Sequence, residues 1–191
     1  ADQRPADGPA HRRSVAVIGA EGRIGHLVMG MADADWRPLG VTREVDPSGL
    51  ARPVRGDRLP ILVCTRNDDL DDVVAGVHPS RYADLVFVQN GMVRPWLAER
   101  GLESCTQAVL WVAVPRRGDP PVPGGVSVFH GPWAGHMARL FDRHGVSAVA
   151  VDAVDIIGTL AQRHEIADLV VGHVEWQQTR DRTPHLASNR A

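Results

Sequence analysis

The run Ser14-Val-Ala-Val-Ile-Gly19, followed at once by Ala20-Glu21-Gly22-Arg23-Ile24-Gly25, constrains this chain more than any other feature. A short β-branched segment that breaks at a glycine reads as a strand buried on both faces of a parallel sheet. Ile24, Leu27, Val28 and Met31 then recur at helical spacing and predict a helix over 24–34. Between strand and helix the glycines fall in the pattern GxxGxxG. In such a turn the first glycine closes the bend, the second lets the backbone approach a phosphate, and the third lets helix and strand pack. The helix start offers N–H groups and a favourable dipole to the same anion. Gly19, Ala20, Glu21, Gly22, Arg23, Ile24 and Gly25 are accordingly the expected pyrophosphate segment of a bound dinucleotide.

The rest of the chain repeats the alternation. Strands are predicted over 39–42, 61–64, 85–88, 108–114, 126–129 and 146–151, and further helices over 69–77, 95–100 and 134–144. Residues 44–58 are rich in Pro, Gly and Arg and read as a loop. Strands separated by helices build βαβ units, so the expected fold is α/β of the Rossmann type: a mostly parallel sheet with helices on both faces. The expected organisation is a disordered lead-in over 1–13, a dinucleotide-binding domain over 14–152, a short C-terminal helical extension over 153–178 and a flexible tail over 179–191.

Composition narrows the function. Hydrophobic residues at 43% and charged residues at 23% match a globular protein with a real core. A net charge of −2 argues against nucleic acid as a ligand. No apolar run reaches the roughly eighteen residues of a membrane span, which predicts no membrane association and a cytoplasmic location. Cys64 and Cys105 lack CxxC spacing or a histidine cluster, so buried thiols are expected and no metal site. All 21 basic residues are arginine, which removes lysine from every mechanism.

Ligands of open α/β sheets bind at the carboxyl ends of the strands, and three predicted strand ends carry polar groups. The second ends in Thr42-Arg43, where an arginine suits the 2′-phosphate of NADP(H); Glu44 and Asp46 keep NAD(H) possible. The next presents Thr65 and Arg66, with Asn67 or Asp68 expected to cap the following helix. A third ends in Gln89-Asn90-Gly91, which is also a favourable turn sequence.

The glycine turn, the arginine after the second strand and this QNG turn, in that order, resemble the ketopantoate reductase family of the 6-phosphogluconate dehydrogenase-like superfamily. The resemblance spans roughly 14–152 and extends to Gly131-Pro-Trp-Ala-Gly-His136. It implies a Rossmann domain, a nicotinamide cofactor contacted by Gln89, Asn90 and Gly91, and a role for Asn90 in orienting the substrate. The family's catalytic lysine and the acidic residue of its long C-terminal domain have no counterpart here, where only about forty residues follow the domain. GAEGRIG is also similar to the GAxGRMG turn of dihydrodipicolinate reductases, over the turn alone.

With that machinery missing, His136 and His164 become the candidate proton donors, His164 sharing a helical face with Asp168. The expected function is an NADPH-dependent reductase acting on a small carbonyl or imine substrate. The alternative is a noncatalytic dinucleotide-binding or interaction protein derived from a reductase. The apolar segment 153–178 predicts a homodimer joined through that helix.

Overall fold

The computed structural model describes residues 13–41, 58–89 and 93–151. Strand β1 (Arg13–Ile18) alternates its side chains between two cores, as a strand must when both faces are covered. Val15 and Val17 join one cluster, Ala16 and Ile18 the other. The chain then enters helix α1 (Arg23–Met29) and returns as β2 (Trp36–Val41), parallel to β1. On the other side of β1 lie β3 (Ile61–Val63), β4 (Leu85–Phe87) and β5 (Thr106–Val109), all parallel. Helices α2 (Leu70–Gly76) and α3 (Arg94–Glu99) connect them.

Two more strands complete the sheet. Strand β8 (Ser127–His130) pairs antiparallel with β5, and β9 (Ala148–Val151) pairs parallel with β8, the two joined by helix α4 (Ala134–Arg143). A separate hairpin, β6 (Val112–Ala113) with β7 (Val122–Pro123), lies between β5 and β8 in the chain. The strand order is β2-β1-β3-β4-β5-β8-β9. Helices α1 and α4 pack on one face, around Val28, Met137, Leu140 and Phe141; α2 and α3 pack on the other, around Leu70 and Leu97. This is the expected Rossmann-type architecture. Its crossover from β2 over β1 to β3 creates a topological switch point beside the carboxyl end of β1, where such sheets bind ligands.

Three boundaries differ from the sequence expectation. Helix α1 stops at Met29 with Gly30 as its cap, five residues before Ala34, because Asp33 Oδ1 accepts hydrogen bonds from Asp35 N (2.7 Å) and Trp36 N (2.8 Å). That side-chain turn redirects the backbone and starts β2 three residues early, with Trp36 buried. The predicted strand 108–114 is two strands in different sheets. Trp111 N donates to Ser127 Oγ (3.0 Å), and the indole lies over Gly124 and Gly125, where a built Cβ on Gly124 would meet Trp111 Cδ1 at 2.9 Å. The chain thus turns out of the main sheet at Trp111. Neither Asn67 nor Asp68 caps a helix: the cap positions are Arg66 and Asp69, without side-chain cap bonds.

Among the described residues no helix is long and apolar enough to cross a membrane, and no group of acidic, histidine and cysteine side chains is arranged to hold a metal. Cys64 and Cys105 are both free. Burial pushes their thiols up to about 12 and about 11, the latter helped by the charge of Asp84, so neither is a nucleophile at neutral pH.

Candidate functional site

The carboxyl ends of β1, β3 and β4 lie side by side, and specific contacts lock each to the next. Gly19 leaves β1 at φ +80°, a conformation that L side chains rarely adopt, and its carbonyl accepts from Gly22 N at 3.0 Å to close the turn. A Cβ built on Gly19 would stand 3.0 Å from the backbone carbon of Cys64 and 3.2 Å from Thr65 Cγ2, so only glycine lets the turn press against the exit of β3. A Cβ on Gly25 would run into the Gly19 carbonyl oxygen and lie 2.8 Å from Ala20 Cα. The third glycine therefore seats α1 on the turn. At Gly22 the nearest atom would be the Gly19 oxygen, at 3.2 Å. Helix α1 has no acidic residue in its first turn and no side-chain cap, which leaves its start open to an anion.

Ala20 and Glu21 form the crest of the turn, Glu21 exposed and Ala20 facing Gly40 of β2; a Cβ on Gly40 would come within 3.2 Å of Ala20 Cβ. Arg23 is exposed but reaches across to the hairpin. Its Nη1 donates to Val114 O at 3.4 Å, and with Ile24 it forms one wall of a cleft of about 260 Å³ whose other wall is Val112 to Pro115 of the hairpin. The glycine turn and the hairpin thus face each other across that cleft.

At the exits of β3 and β4 the polar groups are incompletely used. Gln89 follows β4 and is 8% exposed; its Nε2 donates to Val63 O (3.0 Å) and Thr65 O (3.3 Å), which ties β4 to β3. Gln89 Oε1 and Thr65 Oγ1 are buried without a hydrogen-bond partner among the described residues. Buried polar atoms of this kind cost roughly 1–3 kcal/mol each if nothing satisfies them. Arg66 is exposed at the same edge.

The structure does not bring His136 to this edge. It sits on the first turn of α4, with its ring edge-on to Trp36 (centroids 4.6 Å apart) and Trp133 (5.4 Å). Trp36 opens β2 beside Arg13, the first residue of β1, and Trp133 N donates to Oγ1 of Thr106, the first residue of β5 (2.8 Å). All of these mark the amino edge of the parallel strands, across the sheet from the glycine turn. Burial, then the charges of Arg13 and Arg139, lower the His136 pKa from 6.5 to about 4 and keep the imidazole neutral. Thr42, Arg43, Asn90, Gly91 and His164 lie outside the described residues, as do 1–12 and 152–191. The anchoring role of the Gln89 amide and the hairpin wall of the cleft were not anticipated from the sequence; the QNG placement after a strand was the signal for the first.

No family profile matches the chain, and no curated protein does. Solved structures match its fold. A ketopantoate reductase of the PanE/ApbA family from Ralstonia eutropha JMP134 aligns with a TM-score of 0.54 at 20% identity, over 74% of this chain and 57% of that one. The dimeric ketopantoate reductase of Staphylococcus aureus aligns with a TM-score of 0.49 at 15% identity, over 73% and 60%. The 2-dehydropantoate 2-reductase of Methylococcus capsulatus gives 0.49 at 14%, over 74% and 57%. The chain thus spans less than two thirds of the length of these proteins. At such identities the likeness is one of fold, and the fold of this chain is the Rossmann-type fold found in the Ralstonia ketopantoate reductase structure.

Proposed function

We propose that this protein is an NADPH-dependent reductase that delivers hydride to a small carbonyl or imine substrate. The observation that carries the reading is the glycine turn at the switch point, wedged between the exits of β1 and β3, with buried acceptors left over beside it. The backbone from Gly19 to Gly25 would hold the pyrophosphate, and Arg43 the 2′-phosphate. The nicotinamide half would lie over β3 and β4, with Asn90 orienting the substrate. A bound nicotinamide supplies the hydride, and the protein supplies position and exclusion of water. A homodimer joined through 153–178 and a cytoplasmic location belong to the same proposal; light scattering on the full chain tests the former, and a monomer mass with dinucleotide bound removes it.

Calorimetric titration tests the cofactor assignment. NADPH should bind more tightly than NADH, and Arg43→Ala should erase the difference, because a charge-assisted contact to the 2′-phosphate is lost. Gly22→Val should abolish binding of both by placing a branched side chain where the pyrophosphate approaches. Unchanged binding in Gly22→Val would place the site elsewhere. One observation favours a second reading, a dinucleotide-binding module without hydride transfer: His136, a candidate acid, lies at the opposite edge of the sheet. Oxidation of NADPH across a panel of small carbonyl and imine compounds separates the two.

A further inference from the structure

The sheet ends laterally at β2 and at β9, and these two outer strands treat their free backbone groups differently. Arg13 N donates to Asp35 O at 2.8 Å, so in the parallel β1–β2 ladder it is Trp36, Pro38 and Gly40 that turn their backbone polar groups outward. That side is blunted. Trp36 N donates to Asp33 Oδ1 at 2.8 Å, Trp36 O accepts from Asp33 N at 3.1 Å, and Pro38 has no N–H to offer. On β9, Ser127 N donates to Ser147 O at 2.8 Å, which commits Ser147 and Val149 to β8 and turns Ala148 and Ala150 outward. Among the described residues nothing bonds those outward N–H and C=O groups. The stretch from Val146 to Val151 contains no charged residue and no proline, so this strand lacks the usual guards against a neighbour.

We infer that β9 is the pairing edge for a second copy of this chain, whose own β9 adds antiparallel across a twofold axis at Val149. The inference deepens the homodimer reading above and rests on it. The register follows from the parity of the strand. Ala148 and Ala150 hold the outward groups, and all of these are used when Ala148 faces the partner's Ala150 and Ala150 the partner's Ala148, each pair exchanging both N–H···O bonds. Val149 then faces the partner's Val149. Every side chain along this ladder is small and uncharged, so the two backbones can close to the sheet spacing of about 4.8 Å. Ala150 is exposed and Val149 half-buried, which leaves the strand open to approach. Residues 153–178, expected to be helical, would spend their N–H groups internally and so cannot supply the missing strand. They follow β9 directly, however, and one twofold axis can serve both contacts.

Sedimentation equilibrium on the full chain with Ala150→Pro reads the pairing. The substitution deletes an outward N–H and leaves the bonds to β8 in place. One bond is lost in each copy, at roughly a factor of five apiece, so the dimer dissociation constant should rise about thirtyfold. Oxidative cross-linking gives a second readout that does not depend on the folding of that variant. Facing residues of a non-hydrogen-bonded antiparallel pair have Cα atoms about 4.5 Å apart, within disulfide reach, so Val149→Cys should link two copies. Val151→Cys should not, because its two positions stand roughly 13 Å apart along the strands. A dimer of parent affinity in Ala150→Pro, or no link through Val149→Cys, overturns the pairing and leaves dimerisation to 153–178. A parent chain that stays monomeric overturns the homodimer reading itself, and the pairing with it, without touching the dinucleotide site.

Discussion

The two edges of the parallel strands treat buried polar groups in opposite ways. At the amino edge, Asp84 is 1% exposed and its carboxylate meets Arg81 Nε at 2.5 Å and Arg58 Nε at 2.9 Å, while Arg81 Nη2 also donates to Leu59 O at 3.0 Å. Thr106 accepts from Trp133 N. At the carboxyl edge, Thr65 Oγ1 and Gln89 Oε1 are buried with no hydrogen-bond partner among the described residues. One edge spends its polar groups on tying strands and loops together; the other holds some in reserve. The amino edge also holds buried atoms without a hydrogen-bond partner, but Asp84 Oδ1 faces the Arg58 guanidinium at 2.9 Å, His144 Nε2 stands 3.3 Å from Asp33 Oδ2, and His136 Nε2 sits among indole rings, where burial and then the charges of Arg13 and Arg139 keep the imidazole neutral. The difference separates groups tied into the fold from groups that bond nothing among the described residues.

The largest effect should come from breaking the amino-edge cluster. Asp84→Ala removes the counter-charge of the buried Arg81 and should destabilise the protein by about 3–5 kcal/mol in denaturant unfolding. Dinucleotide affinity of the remaining folded fraction should be unchanged. Gly25→Val forces a side chain against the Gly19 carbonyl, and overpacking of this kind costs about 1–3 kcal/mol. Here, unlike at Asp84, binding should fail as well, and retained affinity would separate the glycine turn from the ligand.

A matched pair sharpens the comparison further. Thr106→Val leaves the Trp133 N–H without its acceptor and should cost about 1–3 kcal/mol, with binding intact. Thr65→Val removes a buried hydroxyl that bonds nothing among the described residues, so the unliganded protein should gain up to about 1–3 kcal/mol of stability while dinucleotide binding weakens. Equal thermal shifts in the two variants would erase the distinction between the edges.

The last contrast is a pH slope. The folded pKa of His136 lies near 4 and its unfolded value near 6.5, so the unfolded chain takes the proton first as pH falls. The His136 contribution is flat above about 6.5, is lost progressively down to about 4, and then levels off. Replacing His136 by Phe should reduce the decline in melting temperature across that window, and an unchanged slope would mean that the imidazole is not held neutral.

Much of the carboxyl edge was legible in the sequence because its signals are local. The strand, the three glycines and the apolar spacing of Ile24, Leu27 and Val28 all sit within one short stretch, and the packing of Gly19 and Gly25 matches the steric roles that the pattern implies. What failed was set by contacts between distant residues. Strand 108–114 reads as continuous until Trp111 is seen bonded to Ser127 and lying on Gly124 and Gly125. His136 was misplaced because nothing in the sequence shows that β8 runs antiparallel, which delivers the start of α4 to the amino edge instead of the cleft. The early start of β2 was hidden for a smaller reason, the local turn made by one aspartate side chain. Gln89 marked a strand end correctly, but its bonds to Val63 and Thr65 exist only because β3 and β4 are neighbours.

Amide hydrogen exchange with and without saturating NADPH tests the central claim most directly, since it reads both edges in one protein without substitution. The account predicts slowed exchange over 19–25, 64–66 and 88–89, and no change at the amino edge over 33–36, 81–84 and 131–136. Protection at the amino edge, or none at the glycine turn under conditions where calorimetry shows the nucleotide bound, would contradict it.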